Sequence, residues 1–352
     1  MSGGLTLSVL DQSPVSEGSS GAQALAHSVD LARAADRLGY HRYWVAEHHG
    51  GPMLASASPE ALIGPIAAAT GALRVGSGGV MLPHYSPLKV AETFSVLAAL
   101  FPGRIDLGLG RASGTDPLTT FALQRDRRTP SPDDFPQQLA ELLGYLDDTL
   151  PADHPFARLA ALPGRPQSPE PWLLGSSPQS ALWAAQLSLP YAFADFINPQ
   201  GARIAAVYRE RFEGSPALGS PRTAVAAWAL CADSDLEAQR LASSSRMTLS
   251  LLRQGRLIAV PPVDKALRYL DGQAASPDGL ARGRRAIIGS AATVRRGLEE
   301  LAREYGAQEV LVVTITHDHQ ARRRSYELIA EAFSLPIRTP VTQAETAAAT
   351  LA

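Results

Sequence analysis

Cysteine is nearly absent from this chain of 352 residues, which contains only Cys231. A single cysteine excludes a disulfide within the chain and a metal cluster held by cysteines. Lysine is also scarce: Lys89 and Lys265 are the only two, so 30 of the 32 basic residues are arginine. With a formal net charge of −2 and no run of basic residues, the chain lacks the charge distribution of a nucleic-acid-binding protein.

Long apolar runs are missing as well. No run approaches the roughly 18 residues that a membrane-spanning helix needs. The first residues also lack the basic stretch followed by an apolar stretch that is typical of a signal peptide. Hydrophobic residues make up 45% of the chain, as in ordinary globular proteins. We therefore expect a soluble, cytoplasmic, globular protein that binds neither nucleic acid nor membrane.

Strand and helix patterns alternate from start to end. Short β-rich segments predict strands at 5–10, 42–46, 73–76, 104–109, 172–174, 191–194, 223–231 and 309–315. Amphipathic segments predict helices at 22–38, 59–70, 87–100, 135–150, 179–187, 199–212, 236–252, 292–305 and 320–333. Repeated strand–helix units indicate a parallel sheet. About eight such units favour a closed (β/α)8 TIM barrel of the α/β class over an open sheet.

The domain prediction follows from this pattern. Residues 1–338 are expected to form a single barrel domain. Residues from about 253 to 286 have weak periodicity and many Gly, Pro and Arg, so we expect an excursion over the carboxyl face of the barrel. Residues 339–352 form an Ala-rich tail, which is expected to be frayed.

The end of the second predicted strand is the most informative segment. There, Glu47, His48 and His49 follow the β-rich residues 42–46. In a barrel of parallel strands the carboxyl ends are where chemistry takes place, so His48 and His49 are candidate catalytic residues. An imidazole can donate or accept a proton near neutral pH. The alternative is a solvated loop that happens to hold two histidines, because polar clusters are common at strand ends.

Glycine is concentrated at the ends of the third and fourth strands. Residues 76–83 read GSGGVMLP, and the pair Gly78 and Gly79 would let a flat ligand approach the backbone, although a plain turn is the alternative. Residues 108–114 read GLGRASG, which resembles a dinucleotide fingerprint but has a last gap that is one residue too long. Arg111 and Ser113, with backbone NH groups, remain candidate phosphate ligands.

The fifth strand ends in Gly175, Ser176 and Ser177, directly before a predicted helix. Two hydroxyl groups and backbone NH groups at a helix N-terminus suit an anion, so this loop is a candidate phosphate site. The alternative is that Ser177 simply caps the helix, with Pro178 as its first residue.

The last strand ends in the run His317, Asp318 and His319. Together with His48 and His49 this run raises a metal hypothesis, since two histidines and a carboxylate can bind iron or zinc. No HExxH-like signature is present, and four histidines are too many for that triad. We therefore expect no metal site.

Taken together, these segments resemble the bacterial luciferase-like monooxygenases, a family of flavin-dependent (β/α)8 barrels, from residue 5 to about 335. The most specific segments are residues 43–49 (YWVAEHH), 75–83 (VGSGGVMLP) and 103–111 (GRIDLGLGR). Residues 173–177 (LLGSS) and 318–322 (DHQAR) resemble a subgroup that includes oxygenases tailoring aromatic polyketides. Gly110 differs from luciferase itself, which carries a reactive cysteine there, so light emission and an aldehyde substrate are not implied.

The resemblance implies roles by position. His48 corresponds to an active-site histidine near the flavin, and Arg111 to an arginine that contacts the flavin phosphate. Ser176 and Ser177 lie where the family wraps that phosphate. The Gly78–Gly79 bond lies where the family often has a cis peptide beneath the flavin ring.

The implied chemistry is oxygenation of a small organic substrate by reduced FMN and O2 through a flavin C4a-peroxide. The cofactor performs the difficult step, while the protein binds it, excludes water and orients the substrate. No NAD(P)H fingerprint is recognisable, so a separate reductase is expected to supply reduced flavin. A homodimer is expected through the helices at 59–70 and 87–100. Two alternatives remain open, hydride transfer with the deazaflavin F420 and a non-catalytic flavin-binding protein.

Overall fold

The computed structural model describes residues 4–111, 116–128, 133–159, 162–198, 200–273 and 285–339. Within these ranges the strands are β1 (Thr6–Asp11), β2 (Arg42–Val45), β3 (Arg74–Met81), β4 (Ile105–Gly110), β5 (Glu170–Gly175), β6 (Tyr191–Ala194), β7 (Thr223–Cys231), β8 (Ala286–Gly289) and β9 (Glu309–Val313). The helices are α1 (Gly21–Arg37), α2 (Pro59–Ala68), α3 (Pro87–Leu100), α4 (Pro117–Leu123), α5 (Phe135–Asp147), α6 (Pro178–Gln186), α7 (Gly201–Arg211), α8 (Asp235–Leu241), α9 (Ser243–Arg253), α10 (Val263–Gln273), α11 (Ala291–Tyr305) and α12 (His319–Ala332). Short 3-10 helices at Leu82–His84 and Ala157–Leu159 complete the elements.

Eight of the strands close into a ring. Strands β1 to β6 pair in chain order, β6 pairs with β7, β7 with β9, and β9 with β1, and every pair is parallel. The remaining strand, β8, pairs only with the second half of β7. The (β/α)8 barrel predicted from the sequence is confirmed, and its eight strands are the eight predicted ones.

Apolar residues fill two layers. The larger core lies between the strands and the surrounding helices and includes Val9, Val45 and Leu107. A smaller core lies inside the barrel, where Trp44 and Trp172 meet edge to face with their ring centroids 5.2 Å apart. The two layers follow from strand periodicity, because successive side chains of a strand point to opposite faces.

A buried ion network closes the amino end of the barrel. Arg42 of β2 donates from Nε to Glu309 of β9 and from Nη1 to Asp106 of β4, both at 2.7 Å. Asp106 also accepts from the indole of Trp44 at 2.9 Å, and Trp172 lies under the Arg42 guanidinium, 4.7 Å from ring centroid to Cζ. We call these five residues the barrel floor. Because they fill the amino end, ligands can enter only from the carboxyl end.

Three features depart from the sequence prediction. Strand β3 continues through its glycines to Met81. Glycine is needed in this part of the strand because the neighbouring strand lies so close that a Cβ on Gly79 would be 2.7 Å from the carbonyl oxygen of Gly108. The segment expected as an excursion contains α10 and β8, and the helix predicted at 236–252 is two helices, α8 and α9, that meet at Ala242.

Two sequence expectations concern the outside of the barrel. Among the described residues, no helix combines the length and the apolarity needed to cross a membrane. The division into a barrel domain at 1–338 and a tail at 339–352 stays a prediction, since residues 340–352 lie outside the described residues.

Candidate active site

Two adjoining cavities open at the carboxyl ends of the strands. The smaller cavity, of about 320 Å³, reaches into the barrel and is lined by loops that follow β2, β3, β4 and β5. The larger cavity, of about 810 Å³, lies above it between the loop after β2 and helix α9. They share four lining residues: Gln12, His48, Phe196 and Ile197. A group on this shared wall can contact ligands in both cavities.

His48 lies on the shared wall. Its backbone NH donates to the carbonyl of Ser56 at 2.9 Å, which fixes the loop after β2. The imidazole is half-buried, and its Nδ1 is buried without a hydrogen-bond partner among the described residues. Burial, and after it the charge of His49, lowers the pKa of His48 to about 4. The side chain is therefore a neutral imidazole near pH 7, with a ring nitrogen available to a ligand.

Glu47 holds this loop against the end of β3. The buried carboxylate accepts from the backbone NH of Met81 at 2.8 Å and from the Tyr85 hydroxyl at 3.1 Å. His49 Nε2 lies 2.7 Å from the same carboxylate. Burial raises the pKa of Glu47. The Glu47–His49 pair thus commits one nitrogen of His49, while the ring of His49 lines the larger cavity.

Gly78 and Gly79 line the smaller cavity beside Trp44 and Met81. Their peptide bond is cis, which confirms the expectation drawn from the family resemblance. The sequence-predicted glycine segment is therefore part of the site. It is strand rather than flexible turn.

The three predicted phosphate ligands in the described residues meet in the same cavity. Arg111, at the end of β4, has a 47% exposed side chain whose Cζ lies 5.7 Å from the ring centroid of Trp183. Ser176 and Ser177 line the cavity beside Gly175. Ser113 lies outside the described residues.

Ser177 also has the structural role that the sequence left open. Its hydroxyl accepts from the backbone NH of Ser180 and forms a capping box with that residue at the start of α6. Among the described residues, the hydroxyl of Ser176 has no such role, and its backbone carbonyl accepts from the Asn198 amide at 2.9 Å. A helix N-terminus with a neighbouring arginine remains a suitable environment for an anion.

Gln12 is a site residue that the sequence analysis missed. It directly follows β1, is only 7% exposed and lines both cavities. Its position at a strand end could have revealed it, but a lone glutamine carries little sequence signal. The aromatic pair Phe196 and Trp228, with stacked rings 5.2 Å apart, was also missed, because these residues come together only through the fold.

The histidines after the last strand do not join His48. His317 Nε2 lies 3.2 Å from the carbonyl of Glu17, and Asp318 caps α12. His319 stacks on His27 and lies 2.8 Å from Asp30. Among the described residues, no group of three His, Cys, Asp or Glu side chains is arranged to hold a metal ion. The 317–319 run therefore belongs to the outside of the barrel rather than to the cavities.

Similarity to known proteins shows the family of the chain. The family model described as luciferase-like monooxygenase matches residues 4–309. The chain belongs to the luciferase-like monooxygenase family. It is an oxygenase of the α/β-barrel type, and its cavities lie where such a barrel places its active site.

Individual relatives span nearly the whole chain. A luciferase-like monooxygenase of Escherichia coli strain K12 is 43% identical and covers 92% of this chain and 96% of its own. The N-acetyl-S-alkylcysteine monooxygenase of Bacillus subtilis strain 168 is 36% identical and covers 93% of this chain and 98% of its own. The crystal structure of apo-MsnO8 superimposes with a TM-score of 0.86 at 44% identity, over 95% of this chain and 99% of its own.

More distant structures share the fold alone. The oxygenating constituent of 3,6-diketocamphane monooxygenase from Pseudomonas putida, in complex with FMN, has a TM-score of 0.69 at 20% identity and covers 96% of this chain. An F420-dependent secondary alcohol dehydrogenase has a TM-score of 0.68 at 14% identity and covers 94% of this chain. Because one of these structures contains FMN and the other an F420 adduct, the fold alone does not identify the cofactor of this chain.

Proposed function

We propose that this protein is an FMN-dependent monooxygenase, which uses reduced FMN and O2 to insert oxygen into a small organic substrate. The observation that carries the proposal is the position of His48 on the wall between two adjoining cavities, with a buried ring nitrogen that no described residue binds. One cavity suits a cofactor and the other a substrate. A neutral imidazole between them can handle a proton where the two ligands meet.

The residues of the smaller cavity fit FMN. At one end, Arg111, Ser176 and the N-terminus of α6 supply a cation, a hydroxyl group and a helix dipole for the phosphate. At the other end, Gly78 and Gly79 present backbone without side chains to a flat ring. When bound, reduced FMN supplies the electrons that activate O2.

The protein's own residues would then do three things. His48 would hold or move a proton at its free Nδ1, and its pKa of about 4 keeps it neutral at physiological pH. Glu47 and His49 would position His48, because they fasten the loop after β2 to the end of β3. We assign His49 this positioning role rather than a direct catalytic one.

The lining of the larger cavity would exclude water. Most of the side chains that line it are apolar, among them Met53, Leu54 and Ile315. A dry pocket slows the wasteful release of hydrogen peroxide and strengthens the electrostatic contacts made within it. An aromatic polyketide is among the substrates that an apolar cavity of about 810 Å³ could hold.

Oxygen transfer can be tested directly. Anaerobic titration with reduced FMN should show binding, and mixing with ¹⁸O₂ should give a labelled organic product. Arg111→Ala should weaken FMN binding by about 10- to 100-fold, the scale of a charged hydrogen bond, with turnover largely recovered at saturating flavin. Turnover with F420 in the complete absence of oxygen would instead support the alternative of hydride transfer. Flavin binding without any product would support the non-catalytic alternative.

Partners and location are part of the same proposal. A separate reductase would supply reduced FMN in the cytoplasm, because the chain has no NAD(P)H fingerprint.

A homodimer would form through α2 and α3, where Val96 and Leu100 are 44% and 49% exposed. Light scattering at micromolar concentration should give twice the mass of one chain, and a monomer would contradict the dimer.

A further inference from the structure

The larger cavity has an apolar body and a charged end. Its apolar lining includes Leu249 and Leu257 from the α9 side, Val313 at the end of β9, and Ile315 just after that strand. Helix α9 also contributes Arg246, whose side chain is half-buried in the cavity wall. A largely apolar cavity with a few polar or charged groups is the usual form of a site that binds a small molecule in one orientation.

Arg246 lacks a counter-ion. Its guanidinium donates to the neutral side-chain amide of Gln239 and forms no ion pair with any residue that the structure describes. Burial lowers the pKa of Arg246 without an opposing contribution from any carboxylate. Since a partly desolvated cation is costly without a partner, the site would gain from an anionic ligand.

The other charged groups of this cavity do not neutralise Arg246. The carboxylate of Asp116 is occupied at the start of α4, where it accepts from the backbone NH groups of Leu118 and Thr119 at 2.9 and 3.0 Å. Arg253, the other arginine of the lining, lies two helical turns further along α9 and adds positive charge. With Arg246, Arg253 and one carboxylate, the lining of the cavity carries a net positive charge.

We propose that the substrate is an apolar molecule that carries a carboxylate, and that Arg246 binds this carboxylate. The proposal rests on the proposed function and narrows its substrate class. A planar guanidinium matches a carboxylate with two parallel hydrogen bonds, which lysine cannot form. Bound in this way, the carboxylate lies at the α9 wall and the apolar part of the molecule extends toward His48.

Calorimetric titration of the full chain with matched probes tests the proposal. The probes are two acid–amide pairs of similar size, 2-naphthoate with 2-naphthamide and octanoate with octanamide. Wild type should bind at least one acid about 10- to 100-fold more tightly than its amide. Arg246→Gln should remove that preference and leave the affinity for the amide unchanged, whereas Arg246→Lys should retain part of it.

Arg256→Gln is the matched control. It removes the same charge from an exposed position close to the cavity but outside its lining, so the acid preference should persist. Equal affinity for acid and amide in both pairs, or no measurable binding of either acid to wild type, would overturn the proposal. An Arg246→Gln variant with weakened FMN binding would overturn it as well, because Arg246 would then serve the cofactor.

The outcome is independent of oxygen chemistry, since the titrations need neither reduced flavin nor O2. Loss of ¹⁸O incorporation with an intact acid preference would refute the monooxygenase proposal and keep the carboxylate site. Oxygen incorporation without any acid preference would keep the monooxygenase proposal and refute the carboxylate site.

Discussion

The two ends of the barrel use polar residues in opposite ways. At the floor, every charged group has partners: Arg42 binds both Asp106 and Glu309, and Asp106 also accepts from Trp44 and Arg74. At the carboxyl end, which we call the mouth, polar groups are held in place but keep atoms that a ligand could still bind. In the described part of the chain, the buried Nδ1 of His48 has no partner, and the Arg246 side chain has only the neutral amide of Gln239.

The difference separates structural from functional polar groups. A buried charge that is fully paired stabilises one arrangement of strands but has nothing left to offer a ligand. A buried polar atom without a partner costs stability, and an open cavity beside it indicates that a ligand completes it. Unsatisfied groups beside a cavity therefore mark the site more clearly than the number of ionisable residues does.

The largest expected effect is at the mouth. His48→Ala should lower product formation by about 10²- to 10⁴-fold, the usual contribution of a positioned acid or base, because it removes the proton-handling group. FMN binding should stay nearly unchanged, since the proposed phosphate ligands Arg111 and Ser176 lie elsewhere in the cavity. Turnover measured at saturating FMN, together with the FMN dissociation constant, separates the two effects.

His317→Ala is the control for this prediction. His317 lies at the same end of the barrel as His48, but it contacts Glu17 and lines neither cavity. Turnover of this variant should be close to that of wild type. If His48→Ala retains full coupled turnover, the histidine is structural and the proposed role is wrong.

Substitutions in the barrel floor should lower the stability of the protein rather than its activity. Asp106→Ala removes the buried carboxylate that Arg42 and Arg74 share and leaves Arg42 with Glu309 as its remaining buried partner. We therefore expect a loss of about 3–5 kcal/mol in the free energy of unfolding. Glu237→Gln breaks the exposed pair with Arg240 and should cost less than about 1 kcal/mol. Denaturant unfolding measures both. A similar, small loss in the two variants would show that the floor network does not stabilise the barrel.

The smallest expected effect on activity concerns pH. With a pKa of about 4, His48 should remain neutral from pH 7 down to pH 5, so its protonation should not limit activity in that range. The unfolded chain takes up this proton near pH 6.5 and the folded chain only near 4. The contribution of His48 to stability is therefore lost as the pH falls from about 6.5 to 4. NMR titration of the imidazole, assigned with His48→Gln, measures the pKa, and a midpoint near 6.5 would contradict the burial argument.

Local patterns were enough to predict the barrel. Alternating strand and helix signals placed all eight barrel strands, because each barrel strand is short, β-rich and followed by an amphipathic helix. The predictions were weaker where residues depend on distant neighbours. Strand β3 was predicted to end at residue 76, yet it continues to Met81. The close approach of Gly108 to Gly79 makes glycine necessary in that extension, and this approach depends on the neighbouring strand.

The sequence by itself determined the order of the strands, the carboxyl-end position of His48 and the family, since these depend on residue spacing along the chain. Tertiary structure alone decided which polar groups have partners. It gave Asp106 four donors, tied His49 to Glu47 and turned the run at 317–319 away from the cavities. It also left Nδ1 of His48 without a partner among the residues that the structure describes. Hydrogen-bond satisfaction and desolvation depend on what surrounds a side chain in three dimensions, and residues far apart in the sequence supply those surroundings.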